Sequence, residues 1–113
     1  MRLEERDHAY LRRIYEYCAR IDAAKQRFGD TFENYSGDAD YRDVVCMNIF
    51  QIGELANQLS DETREKLNDI PWTQMYAIRN IFAHAYIKVD DRIVWDTVIN
   101  DIPALQKRLD DIL

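Results

Sequence analysis

The sequence predicts an all-α protein, an up-and-down bundle of four main helices plus a short one. Three observations predict it. Apolar residues recur at steps of three and four through most of the chain, only three Gly and two Pro interrupt them, and no run alternates with the period of a strand. A length of 113 residues suits one domain, 1–113, with a single real core.

The first helix follows from Leu3, Tyr10, Leu11, Ile14, Tyr17, Cys18, Ile21, Ala24 and Phe28, a helical stripe interrupted once by Asp7. It should end near Gly29, which can supply a left-handed C-terminal residue. Residues 29–40, GDTFENYSGDAD, are polar and rich in turn formers, so they read as a loop. The second main helix runs from about Ala39 to Leu59 and is apolar on more than one stripe, which predicts a central position. Glu54 sits in the middle of it, and a buried carboxylate there needs a partner.

Ser60 reads as the N-cap of a short helix ending near Asn68, with Asp61 and Glu62 complementing its dipole. Pro71 breaks the chain. The next helix, Trp72 to about Tyr86, carries Met75, Tyr76, Arg79, Phe82 and Ala83 at helical spacing, so Arg79 lies in a stripe otherwise aromatic or apolar. The last helix, Asp91 to Leu113, should turn Ile93, Val94, Val98, Ile102, Leu105, Leu109 and Ile112 inward. Pro103 inside it predicts a kink or break.

A net charge of −6 argues against a generic nucleic-acid binder, because Lys and Arg on phosphates supply most non-specific affinity. The acidity is nevertheless concentrated in residues 29–70, which hold ten acidic and three basic groups, whereas residues 1–28 hold seven basic and five acidic ones. RNA contact would therefore use the first helix and the surroundings of Arg79. Cys18 and Cys46 stand singly in amphipathic segments and read as buried thiols in a reducing compartment. No stretch approaches a membrane span, and the charged start MRLEERDHAY is unlike a signal peptide, so a cytoplasmic location is expected.

The chemistry is concentrated in RNIFAHAY, residues 79–86. RNA cleavage without a metal needs a group titrating near neutrality to move the proton of a ribose 2′-hydroxyl or of the leaving oxygen. It also needs a fixed cation for the charge on the phosphorane. His84 can be the acid or base, Arg79 the phosphate clamp, and Asn80 can orient either. Taken alone, a single histidine is more often structural than catalytic, and Arg79 is equally suited to a cation–π contact or an ion pair with Glu54. Arg79 and His84, five residues apart, are also separated by about 140° around an ideal helix. Either the helix loosens near Ala83 or a second subunit completes the site. No ligand spacing around His8 or His84 suggests a metal centre, and no Gly-rich loop suggests a bound nucleotide, so no cofactor is expected.

On these residues the chain resembles the HepT branch of the HEPN superfamily, whose motif reads R-x(4)-H-x-Y. Arg79, His84 and Tyr86 match it in register, and IGELANQLS, PWTQMYAIRN and VWDTVINDIPAL look like the same family. The resemblance implies a homodimeric toxin, an RNase with Arg79 and His84 as the cleavage pair. It further implies a minimal nucleotidyltransferase antitoxin that silences the toxin by transferring AMP to Tyr86. A helical binding partner of a nucleotidyltransferase, with no catalysis of its own, is the alternative.

Overall fold

The computed structural model describes residues 3–85 and 89–113, and only the backbone of residues 81 and 83–85. The described part is all-helical. The helices are α1 (Glu5–Phe28), α2 (Phe32–Ser36), α3 (Ala39–Gln58), α4 (Asp61–Lys66), α5 (Trp72–Ala85), α6 (Asp91–Asp96) and α7 (Ile102–Ile112), with a π-helical turn, Thr97–Asp101, joining the last two. None is long and apolar enough to cross a membrane.

The central position expected of α3 follows from its packing, since α1 lies along it on one side and α5 along it on another, while α7 closes on α1. Leu11, Ile14, Cys18 and Ile21 of α1 meet Val45, Ile49, Ile52, Leu55 and Ala56 of α3 in one buried cluster. At roughly 1.5–3 kcal/mol for each fully buried large aliphatic side chain, this cluster is the main source of stability. One side of α3 remains open, with Val44 and Met47 exposed.

Asp7, the break in the stripe of α1, is fully buried. Its carboxylate accepts hydrogen bonds from the Ser60 backbone N–H at 3.3 Å, Ser60 Oγ at 2.5 Å and Thr63 Oγ1 at 2.5 Å. Ser60 Oγ in turn caps α4 by accepting from the Thr63 N–H at 3.2 Å. Burial pushes the Asp7 pKa up, but these hydrogen bonds outweigh it and hold the carboxyl below its ordinary value.

Three expectations are corrected. The segment read as a loop contains α2, whose first turn is capped by Thr31 Oγ1 accepting from the Asn34 N–H. It is held by Tyr35, buried between Tyr41 at 5.2 Å and Trp95 at 5.6 Å between ring centroids. Gly29 has φ 116° and ψ 152°, a conformation open to glycine but not the left-handed helical one; its carbonyl accepts from Tyr41 Oη at 3.0 Å. Ile93 is 60% exposed, and Trp95 takes the inward place on α6 because its larger ring fills the aromatic cluster. Pro103, which lacks an N–H, sits in the first turn of α7, just after the π turn has shifted the hydrogen-bond ladder so that the Ile102 N–H reaches the Thr97 carbonyl.

Candidate functional site

The crossing of α3 and α5 is close because residue 53 is glycine. A Cβ there would overlap the Cβ of Arg79 and lie 3.0 Å from the Met75 carbonyl oxygen. The stem of Arg79 is thereby laid across α3. Its guanidinium carbon sits 5.1 Å from the ring centre of Phe50 on α3 and 5.8 Å from that of Tyr76, one turn back on α5. Its Nε forms an ion pair with Glu54, one turn beyond Phe50. The buried Nε faces the carboxylate without aligning its N–H as a hydrogen bond.

Phe50, Gly53, Glu54 and Tyr76 thus make a cradle for one cation. The side chains of Arg79 and Glu54 keep 23% and 32% of their exposure, so the pair lies at the molecular edge and Glu54 is partnered rather than buried. A pair this open adds only about 1 kcal/mol or less to stability. Its stronger effect is on position, because two rings and a carboxylate restrict a side chain that otherwise has several rotamers.

Asn80 is exposed beside Arg79. The backbone of α5 stays α-helical from Trp72 through Ala85, so loosening near Ala83 does not occur, and residues 79 and 84 remain about 140° apart around the axis. The side chain of His84 and the whole of Tyr86 lie outside the described residues. The cradle residues Phe50 and Gly53 were not singled out from sequence. The available signal was an aromatic residue one turn before Glu54, a spacing that places both on one side of α3.

A groove of about 710 Å³ opens elsewhere, between α5 and the α6–α7 helix, floored by Ile49, Ile52, Ile78 and Leu105; Arg79 and Glu54 do not line it. Among the described residues, no three His, Cys, Asp or Glu side chains come together as a metal site.

Fold and motif together define a small helical protein that presents an arginine-to-histidine segment at the C-terminal half of one helix. The chain belongs to the HepT-like ribonuclease family, whose model, described as ribonuclease HepT-like, matches residues 10–112. It is 32% identical to a candidate RNase of Caldanaerobacter subterraneus over 105 residues, covering 92% of this chain and 91% of that protein. A candidate ribonuclease HepT of Thermococcus cleftensis is 31% identical over 72% of this chain and 74% of its own. A candidate RNase of Methanocaldococcus jannaschii is 27% identical over 67% of this chain and 78% of its own. No solved structure gives a significant match.

Proposed function

We propose that this chain is the RNase toxin of a toxin–antitoxin pair, cleaving RNA without a metal through Arg79 and His84. The observation that carries the reading is the cradled guanidinium of Arg79, held at the molecular edge on the helix that also bears His84. His84 takes the proton from a ribose 2′-hydroxyl as that oxygen attacks the adjacent phosphorus. Arg79 stabilises the charge gathering on the phosphorane oxygens, and the bond from phosphorus to the 5′-oxygen breaks as that oxygen takes the proton back from the His84 imidazolium, giving a 2′,3′-cyclic phosphate and a free 5′-hydroxyl. Glu54 and Asn80 support this by orienting the guanidinium and the imidazole.

Because the backbone of α5 is α-helical through Ala85, positions 79 and 84 lie about 140° apart around it. We therefore assign the cleft to a homodimer in which the two motif segments meet, each chain acting as one domain. Tyr86 is the control point: AMP placed on its hydroxyl by a minimal nucleotidyltransferase antitoxin would set a bulky anion where RNA phosphate must enter. Family membership and the names of the relatives support the RNase reading, and the motif register supports the assignment of roles.

One observation favours a second reading, a non-catalytic helical partner of a nucleotidyltransferase: Glu54 already neutralises Arg79, as it would in a purely structural pair. Incubation of unmodified protein with total RNA in EDTA separates the two. Cleavage that disappears in Arg79→Ala and His84→Ala, with the fold intact by circular dichroism, supports the RNase. Absence of cleavage by the unsubstituted protein, at every concentration that supports dimers, refutes it. Intact mass before and after Tyr86→Phe tests the modification.

A further inference from the structure

We infer that one face of α1 is a binding track for single-stranded RNA, extending the substrate beyond the nucleotides at Arg79; the inference rests on the RNase reading for its purpose but not for its physics. Arginines recur on α1 every seven residues, at Arg6, Arg13, Arg20 and Arg27. A seven-residue repeat drifts only about 20° around a straight α-helix, so the four stay on one side, about 10 Å apart along the axis. Tyr10 and Tyr17 fall between them on the same side.

The side chains are already arranged as a mixed strip. The guanidinium of Arg6 lies 5.8 Å from the Tyr10 ring centre and that of Arg20 lies 5.2 Å from the Tyr17 ring centre, while Arg13 donates to Tyr17 Oη at 3.3 Å. All four arginines are exposed and both tyrosines are half-buried. Among the described residues none of the four arginines forms a salt bridge. Glu5 adjoins Arg6 in sequence and Glu16 lies at the edge of the strip, one turn from both Arg13 and Arg20, while Asp7 is turned inward to Ser60 and Thr63.

In a chain of net charge −6 such a strip is out of keeping with the whole, which makes it specific to a polyanion. Interleaved rings choose the polyanion: cations track a phosphate backbone, and the exposed parts of the half-buried Tyr10 and Tyr17 rings receive unpaired bases without regard to sequence. An acidic protein surface would use the cations but has no need of the rings. The strip also has a definite relation to the candidate site. Phe28, on the tyrosine edge of this side, stacks on Tyr41 of α3 at 5.1 Å, so that edge runs beside α3, the helix that carries Glu54.

The test uses a fluorescein-labelled single-stranded RNA of about 20 nucleotides, mixed in sequence, with protein carrying His84→Ala to keep the RNA intact. Anisotropy titrations across a salt series should give a slope of log K against log salt near −3 if all four arginines meet phosphates, at about 0.7 per contact. The double variant Arg13→Gln/Arg20→Gln should lose about 1.4 of that slope and roughly fiftyfold in affinity at 50 mM salt. Tyr10→Leu/Tyr17→Leu should weaken binding about fivefold or more with the slope unchanged, and Arg13→Lys/Arg20→Lys should restore the slope.

Failure to bind RNA, equal binding by the double arginine variant, or displacement of RNA by polyglutamate as readily as by unlabelled RNA would each overturn the track. With His84 restored, the arginine variant should cleave a dinucleotide as the parent does while losing activity on long RNA. If the parent cleaves nothing and the strip still governs RNA binding, the RNase reading fails and the track stands.

Discussion

Gly53→Ala tests whether the close crossing of α3 and α5 sets the position of Arg79. Helix propensity alone favours the change by about 1 kcal/mol, since Gly53 lies inside α3. The added methyl, however, meets the Cβ and Cγ of Arg79 and the Met75 carbonyl oxygen, the last at 3.0 Å. A backbone carbonyl cannot swing away as a side chain can, so α5 must recede by roughly 1 Å to restore ordinary carbon contacts of about 3.5–4 Å. Overpacking of this kind costs about 1–3 kcal/mol, leaving a net loss of about 0–2 kcal/mol after the propensity gain. The effect on chemistry should be larger than the effect on folding, because a 1 Å misplacement of a positioned group can cost about a hundredfold in rate. Urea unfolding and RNA cleavage measured on the same preparation check both. A variant about 1 kcal/mol more stable than its parent, and equally active, would show that the crossing is loose and that Arg79 is not placed by it.

Asp7→Asn should lose roughly 2–4 kcal/mol at pH 7, because the charge that Ser60 and Thr63 hydrogen-bond is removed. As the Asp7 carboxyl is held below its ordinary value, its stabilisation is complete above the unfolded pKa near ~3.9 and is lost as pH falls through the folded one; the gap between parent and variant in urea unfolding should therefore narrow in acid. Burial pushes the Cys18 thiol up to about 12, so iodoacetamide at pH 8 should label it only as fast as the protein unfolds, and rapid labelling in the folded state would contradict its burial. Glu54→Gln should cost about 1 kcal/mol or less in stability but lower kcat about tenfold with little change in KM, since the guanidinium loses its orienting charge; unchanged kcat would make Glu54 a bystander.

The long helices were legible because each buries a stripe with helical period, and their ends agree with the sequence to within a few residues: Ala39–Gln58 against an expected Ala39 to Leu59, for example. α2 was not, because five residues cannot sustain a helix on propensity. It exists through the Thr31 cap and the burial of Tyr35 against Tyr41 and Trp95, residues remote in sequence. The same long-range packing explains why Trp95, and not Ile93, faces inward. The pairing of Arg79 with Glu54 was half legible, since a carboxylate in an apolar helix and a cation in an aromatic stripe each demand a partner. Gly53 gave no such signal. A glycine needed for close approach looks in sequence like one that merely weakens a helix, and only the crossing distinguishes them.

Glu54 also bears on how the candidate site could be regulated. In the described residues Arg79 is occupied by a carboxylate, so a phosphate arriving there competes with a charge already in place. The competition is mild, because both side chains remain partly exposed and water screens the pair. It becomes sharper where water is excluded, as at a subunit interface, since attraction and desolvation both grow in low dielectric. A cleft completed by a second motif segment would supply that exclusion together with a second copy of position 84, which lies about 140° from Arg79 around its own helix. Dimerisation would then act on two quantities at once, the geometry of the cleavage pair and the strength with which Glu54 holds the guanidinium. Dilution should accordingly lower activity per chain less steeply in the parent than in Glu54→Gln, because separating the subunits of the parent also relaxes the competition that Glu54 exerts.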